Sequence, residues 1–310
     1  MYKYVLKRLI SMIIIVICAG IVVFTMMYLA PGNPARLQLG TGVSDAVVAA
    51  KEHELGLDRP YLVQLGSFLY ETFLRFNLGD SWQYSEPVFS GIVERLPRTL
   101  AIGIPAMILS VVIGTVLGIY AATREGRWQD SLTMVITMVL VSAPDFWVAL
   151  MLILLFTLKL GLLPHYGYDK WYCYVMPVIC SALPVIAVNA RQARSSMLEV
   201  IRADYITTAR SKGQKSNVIV SKHMFPNALM PIITGVAGGM CKIVAGSPVI
   251  ETVFAIPGMG AYLLSGVNSR DRPVVCGCVV FFALFTSIIV LAMDLCYAYL
   301  DPRIKAQYSK

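Results

Sequence analysis

The chain has 310 residues, of which 57% are hydrophobic and only 14% are charged, and its formal net charge is +8. Soluble domains average about 25% charged residues, and several apolar runs here approach or exceed the ~20 residues that span a bilayer. The composition therefore excludes an ordinary soluble protein and predicts an all-α polytopic membrane protein, in which the basic residues report topology and not nucleic-acid binding.

The N-terminal third predicts one membrane span followed by a small folded segment. A short basic N-terminus precedes an apolar run that is too long for a cleaved signal peptide, so we expect an uncleaved transmembrane helix over residues 1–30. Residues 31–95 contain no second span and are rich in aromatic residues, which predicts a small extracytoplasmic subdomain. Within it we expect a helix that Gly56 closes, an amphipathic segment over 61–76 and a turn at 77–81.

Residues 96–300 predict a core of five further spans, which brings the total to six transmembrane helices. These spans are predicted over residues 96–122, 131–158, 172–190, 228–248 and 274–300. Pro144 is expected to kink the third span of the chain, and Pro177 and Pro184 are expected to break the fourth. Residues 249–273 are too polar and glycine-rich to cross a membrane and predict an outer loop.

The longest polar stretch of the C-terminal two-thirds covers residues 199–226, within a loop predicted over 191–227 between two spans. Seven Lys and Arg residues against two acids, from Arg191 to Lys222, predict a cytoplasmic loop. The same rule places the N-terminus and the basic tail, residues 301–310, in the cytoplasm.

A short helical pattern occupies this polar stretch. Ile201, Tyr205 and Ala209 recur at spacings of four and are expected to share one helical face, and Gly213 is expected to end the helix. Ser216 is expected to cap a second short helix. A stiff amphipathic element outside the membrane predicts contact with a partner.

The same stretch carries a sequence motif. Residues 204–213 read Asp-Tyr-Ile-Thr-Thr-Ala-Arg-Ser-Lys-Gly, and His-Met-Phe-Pro-Asn-Ala follows after nine further residues. The pattern resembles the EAA loop of ABC-importer permeases, with Ala209, Gly213 and Pro226 in register, and its departures are typical of the dipeptide/oligopeptide/nickel branch. Further segments resemble that branch in the same order, at residues 6–9, 30–34, 55–60, 78–81, 96–100, 143–147, 251–260, 271–274 and 300–303. The long segment after the first span resembles the first of the two permease subunits.

The resemblance implies a type I ABC-importer permease fold and a role as a transport subunit without enzymatic activity. It implies that the chain encloses half of a translocation pathway together with a second, related permease in the bacterial cytoplasmic membrane. Two cytoplasmic ATPases would bind ATP and Mg, so that this chain itself needs no cofactor, and an extracytoplasmic solute-binding protein would deliver the solute. The coupling contact with the ATPases is expected at Asp204, Tyr205, Thr208, Ala209, Arg210, Gly213 and Pro226.

We expect Tyr205 and Ala209 to offer the ATPase an apolar ridge, with Arg210 and Lys212 as charges at its rim. The sequence contains no glycine-rich phosphate loop followed by Lys-Ser/Thr, so ATP hydrolysis is assigned to the partners.

Ionisable residues within the predicted spans supply the candidates for the pathway. Charged groups in a membrane are costly and often functional, and we expect Asp145 and Lys242 to contribute to the pathway. Glu251, in the predicted outer loop, is expected to contribute to it as well. Asp145 and Lys242, together with Asp294, alternatively suggest a proton relay in an ion-coupled secondary transporter, or structural pairing within the bundle. A membrane-anchored scaffold without transport is a further alternative.

The substrate expected from the sequence is a short peptide, with nickel or a nickel chelate as the alternative within the same branch. His53, His165 and His223 are far apart in sequence and predict no metal site. The seven cysteines lie mostly in or beside apolar runs and are interpreted as small core residues.

Overall fold

The computed structural model describes residues 2–40, 42–229, 232–233, 238–239 and 248–300, with the backbone alone for 2–5 and 294–300. The described residues are almost entirely helical, and an isolated bridge between Asp80 and Pro87 is their one β pairing. Four helices in this part of the chain are long and apolar enough to cross a membrane, or five if one bent pair counts as a single span. The all-α membrane fold is thus confirmed, whereas the predicted span over 228–248 and the tail over 301–310 lie largely outside the described residues.

The helices follow one another along the chain with short connections. We number them α1 (Tyr2–Leu29), α2 (Pro34–Leu39), α3 (Asp45–Glu54), α4 (Tyr61–Leu69), α5 (Val88–Ala122), α6 (Trp128–Ser142), α7 (Asp145–Leu152), α8 (Val175–Ile201), α9 (Asp204–Ser211), α10 (Ser216–Val218), α11 (Pro248–Val253), α12 (Met259–Ser269) and α13 (Arg272–Leu300). Three of them continue as π-helical turns, over Tyr70–Leu74 after α4, Ile153–Lys159 after α7 and Ile219–Met224 after α10. A 3₁₀ turn, Trp171–Tyr174, precedes α8.

Contacts divide the chain into two compact units, one formed by Met1–Thr99 with Pro257–Lys310 and the other by Leu100–Ile256. Helix α5 begins at Val88, before the expected start of the second span at residue 96, and passes from the first unit into the second. The predicted outer loop, residues 249–273, contains most of α11 and all of α12, with residues 254–258 between them.

The first unit is built around the pair α1 and α13. These helices approach closely at Gly20, where a side chain would meet Val280, Phe68 and Phe73 at 3.4–3.5 Å. Helix α4 covers the same region, because the Phe68 and Phe24 rings stack with centroids 5.1 Å apart. The helix ends and turns predicted for this segment are found, with left-handed glycines at Gly56 (φ +66°) and Gly79 (φ +79°).

The second unit is built around α8, which packs against α5, α6, α7 and α11. Gly118 permits the closest approach, since a Cβ there would lie 2.5 Å from the Ala190 carbonyl oxygen and from Ala193 Cβ. Small residues at a helix crossing allow backbones to meet, as the glycines of the second span predict. Arg194 of α8 donates two hydrogen bonds, of 2.5 and 2.7 Å, to the buried carboxylate of Asp130 in α6.

Two predicted proline breaks have opposite outcomes. The kink at Pro144 is confirmed, because α6 and α7 meet there at 102°. The break of the fourth span is wrong, because Pro177 lies in the first turn of α8 and Pro184 lies inside one continuous helix. Pro144 is followed by Asp145, an acidic residue suited to the first turn of a new helix, whereas Pro184 is followed by Val185 and Ile186. Neighbouring helices can satisfy the backbone groups that an internal proline frees.

Candidate functional site

The candidate site is the helical hairpin formed by α9, α10 and the π turn that continues α10, residues 204–224, which we call the coupling hairpin. Helix α8 extends to Ile201, so the first part of the predicted loop, residues 191–201, is a continuation of the preceding span. Arg202 and Ala203 form the turn between α8 and α9, and Ala203 adopts the extended conformation that precedes a helix. Helix α9 therefore starts in a new direction immediately where the long helix ends.

The inner face of α9 is apolar and closes a core. Ile206 is fully buried and Ala209 is 7% exposed, one helical turn apart on the same face. Both belong to one cluster with Met197 of α8 and Ala122 of α5. The hairpin is therefore attached to the ends of two long helices by side-chain packing.

This packing corrects the predicted apolar stripe. Ile201 belongs to α8, and the turn at residues 202–203 breaks the helical phase between it and α9. Tyr205 is 46% exposed and points away from the core in which Ala209 lies, so the two do not form one exposed ridge. The sequence contained the correct signal in the spacing of three between Ile206 and Ala209.

The outer face of α9 carries the remaining predicted residues. Asp204, Tyr205, Thr208 and Arg210 are all exposed, and the Thr208 hydroxyl donates to the Asp204 carbonyl oxygen at 3.1 Å. This surface combines one aromatic ring with a carboxylate and a guanidinium. Aromatic and arginine side chains are the types most enriched at protein interfaces, so the face is chemically suited to bind another protein.

The second half of the hairpin folds back onto the same core. Gly213 has a φ of +75°, which a glycine adopts without strain, and it ends α9 as predicted. Ser216 is the first residue of α10 and Lys215 is the residue before it, so the predicted cap at Ser216 is displaced by one position. Ile219 and Met224 are buried in the cluster that holds Ile206.

Polar contacts connect the two halves of the hairpin. A ring nitrogen of His223, Nε2, lies 2.9 Å from Oε1 of Gln214, so the end of the hairpin is joined to its turn. The Asn227 side-chain amide donates to the His223 carbonyl oxygen at 2.7 Å. Pro226 lies between them and is exposed. The motif residues from 204 to 227 are thus brought together on one compact element.

The predicted pathway residues lie elsewhere in the second unit. Asp145 is the half-buried first residue of α7, and its carbonyl oxygen accepts a hydrogen bond from the Cys180 thiol at 3.4 Å. Glu251 is only 1% exposed in α11, a helix that packs against α7. Lys242 lies outside the described residues, as does the side chain of Asp294.

Sequence reasoning did not single out Asn189 in the middle of α8. Its amide donates to the Ser110 carbonyl oxygen at 3.3 Å, and its own buried oxygen has no partner within the described chain. An asparagine inside an otherwise apolar span was the available signal.

The three histidines remain apart in the structure. His53 Nδ1 lies 2.7 Å from Asp58, and this hydrogen bond lowers the pKa of the Asp58 carboxyl. His165 packs against the neighbouring Tyr166 ring, and His223 belongs to the coupling hairpin. Across the described residues no group of three potential metal ligands is found.

The long apolar helices define a multi-pass membrane protein. Two family profiles match the chain, "Binding-protein-dependent transport system inner membrane component" over residues 114–306 and the N-terminal component of the same systems over residues 1–103. The chain belongs to this family of inner membrane transport components. It is accordingly a transport subunit and not an enzyme.

Relatives match the chain over nearly its whole length. A putative peptide transport system permease of Brucella abortus is 38% identical, and the alignment covers 98% of this chain and 99% of that protein. A dipeptide transport system permease of Alkalihalophilus pseudofirmus is 37% identical over 98% and 100% of the two chains. A glutathione transport system permease of Salmonella typhimurium is 36% identical over 98% and 99%.

Solved structures support the fold. Two crystal forms of the methionine ABC transporter MetNI in inward-facing conformations match with TM-scores of 0.58 and 0.56, at 21% and 19% identity. Each match covers 70% of this chain and 99% of the other chain. At this level of identity the likeness establishes the ABC-importer permease fold alone.

Proposed function

We propose that this chain is one of two permease subunits of an ATP-driven, binding-protein-dependent importer and carries short peptides across the cytoplasmic membrane. The substrate class is inferred from the relatives that match over their full length at 36–38% identity. Their names specify peptides, dipeptides and glutathione, which is itself a tripeptide. Family membership also favours this function over an ion-coupled secondary transporter or a scaffold.

The proposed assembly contains a second, related permease, two ATPases and an extracytoplasmic solute-binding protein. Both termini of the chain and the coupling hairpin lie in the cytoplasm, in agreement with the excess of basic residues between Arg191 and Lys222. ATP and Mg bind to the ATPases, and Asp145, Lys242 and Glu251 contribute to the pathway.

The coupling hairpin is the proposed contact with an ATPase subunit. Its outer face, with Tyr205, Thr208 and Arg210, would dock on the ATPase, while Ile206 and Ala209 transmit the movement into α8 and α5. A helix attached by a packed core moves with the elements it contacts, because close-packed interiors transmit displacement. This division of roles replaces the predicted ridge of Tyr205 and Ala209.

The substrate is tested by reconstituting the whole importer in proteoliposomes with its cognate binding protein. Uptake of labelled dipeptides, tripeptides and glutathione is compared with uptake of nickel and nickel chelates, each with and without ATP. We expect ATP-dependent uptake of peptides alone. ATP-dependent nickel uptake without peptide uptake would contradict the proposed substrate, and peptide uptake driven by an ion gradient without ATP would contradict the proposed mechanism.

A further inference from the structure

A groove of about 570 Å³ lies beside the coupling hairpin in the second unit. Its floor is apolar and is formed by Val116 and Ile119 of α5 and Val220 of the π turn that follows α10. We call it the interfacial groove. Val116 lies six residues before Ala122, the last residue of α5, so the floor begins about 9 Å from the end of that helix.

The rim of the interfacial groove is basic. Arg124 and Arg127, in the turn between α5 and α6, line the groove at the end of the apolar span. Neither arginine forms an ion pair with any residue in the described part of the chain. The carboxylate between them in sequence, Glu125, is instead paired with Arg202 at 2.8 Å.

The conformation of Arg124 leaves its charge available. Its guanidinium lies over the Tyr120 ring, 3.8 Å from the centroid. Stacking engages the face of the guanidinium and leaves the N–H groups at its edge free to donate in the plane, a geometry suited to phosphate oxygens. Ser216 and Asn217 at the start of α10 line the same groove and add polar groups at that level.

We propose that the interfacial groove binds an anionic phospholipid. The phosphate is held by Arg124 and Arg127, and the first part of an acyl chain lies on Val116, Ile119 and Val220. An apolar floor below a rim of unpaired arginines, at the end of a membrane-spanning helix, matches the division of a phospholipid into tail and charged headgroup. Exposed Trp128 beside the rim is typical of residues at the membrane interface.

The position of the groove connects lipid binding to the hairpin that is proposed to contact the ATPase. One wall of the groove is the start of α10, which is continuous with Ile219 and Met224 in the core of the coupling hairpin. Ile119 and Val220 of the floor also pack against that core, so occupation of the groove supports the hairpin at the edge of its apolar cluster. This consequence rests on the proposed function, whereas lipid binding itself does not.

The test is native mass spectrometry of the purified importer, delipidated and then titrated with phosphatidylglycerol or phosphatidylcholine. The variants are Arg124→Ala/Arg127→Ala, which removes the rim charge, and Val116→Trp, which fills the floor. Arg75→Ala is the matched control, because Arg75 also stacks on a tyrosine, 5.1 Å from the Tyr70 centroid, but is paired with Glu71 at 3.1 Å.

We expect the unmodified importer to bind phosphatidylglycerol more tightly than phosphatidylcholine. The double arginine variant should lose more than tenfold in its affinity for phosphatidylglycerol, because each arginine contributes about fivefold. The Val116→Trp variant should lose binding of that lipid, and Arg75→Ala should bind as the unmodified chain does. Equal binding of the two lipids by the unmodified importer, or an unchanged preference in the double variant, would overturn the proposal. So would loss of ATPase subunits from the double variant with unchanged lipid binding, since the groove would then be a protein contact.

Measurements of ATPase activity in vesicles distinguish lipid binding itself from the effect of bound lipid on peptide-stimulated ATP hydrolysis. With phosphatidylglycerol present, peptide-stimulated ATPase activity should be higher than in phosphatidylcholine alone for the unmodified importer and equal in both for the double variant. If lipid binding follows the expected pattern but neither vesicle supports peptide-stimulated activity, the proposed function fails and the lipid site stands.

Discussion

Two regions of this permease are held in place by different chemistry. The coupling hairpin is attached to the second unit by an apolar cluster that includes Ile206 and Met197. In the first unit, the loop around residues 77–87 is attached to the start of α13 by hydrogen bonds to Asp271, which is 1% exposed. Its carboxylate accepts from the Ser81 hydroxyl at 2.6 Å and from the Gln83 backbone N–H at 3.0 Å.

The difference corresponds to what each region is expected to do. Apolar packing is non-directional, yet a close-packed core passes a displacement on to the helices it contacts, which suits an element that moves with a partner. Hydrogen bonds to a buried carboxylate fix both distance and direction, which suits a rigid surface. The comparison predicts that the hairpin depends on side-chain volume and the loop depends on polar partners.

The largest effect is expected for Ile206→Ala in the hairpin. Removing buried methyl groups leaves a cavity, and the expected loss of stability is about 3 kcal/mol. Hydrogen exchange over residues 204–224 should become faster and ATP-driven uptake should fall. The matched control, Ile206→Val, removes one methylene and should cost about 1 kcal/mol. Equal effects of both variants would show that volume is not what anchors the hairpin.

The second effect is expected for Asp271→Ala in the first unit. It removes the acceptor of the Ser81 and Gln83 hydrogen bonds and of a third, from the Val274 backbone N–H at 3.3 Å. We expect a loss of about 2 kcal/mol, measured as a lower unfolding temperature and as faster proteolysis of the 77–87 loop. Asp80→Ala, at an exposed carboxylate nearby, is the control and should change little. Similar proteolysis of both variants would remove the distinction between the two regions.

A smaller effect is expected for Gln64→Leu, which tests the polar character of the first unit at a second position. The Gln64 amide donates to the Leu57 and Arg59 carbonyl oxygens, and its oxygen accepts from Arg272 Nη1 at 2.6 Å. Replacement by a similar apolar volume should cost about 1–2 kcal/mol in thermal unfolding. A stabilised Gln64→Leu variant would mean that packing, and not hydrogen bonding, governs this unit.

The smallest effect is expected for Arg202→Ala beside the hairpin. Its partner is Glu125 at 2.8 Å, and the side chains are 71% and 41% exposed. Exposed ion pairs contribute little, so the unfolding temperature should change by less than the equivalent of about 0.5 kcal/mol. Loss of uptake comparable to that of Ile206→Ala would contradict an apolar anchor.

The sequence predicted the membrane class, the bend at Pro144 and the turn at Gly213, because each depends on local composition or on one residue's backbone preference. It failed at Ile201 and Tyr205, because the two-residue turn at 202–203 interrupts a periodicity that looks continuous in the sequence. The continuous course of α8 through Pro184 was equally hidden, since it depends on neighbouring helices that are distant in sequence. The spacing of three between Ile206 and Ala209 marks their shared face in the sequence, but the helices against which that face packs are known only from the fold.

The central claim is that the outer face of α9 contacts an ATPase subunit, and cross-linking tests it most directly. Thr208→Cys lies on that face, and Leu37→Cys, an exposed position in α2, is the control. The assembled importer is treated with a reagent that joins a thiol to nearby amines, with the unmodified chain as the baseline for the native cysteines. We predict a covalent product between this permease and an ATPase subunit for Thr208→Cys alone. No such product, or equal yields from both positions, would contradict the assignment of the coupling hairpin.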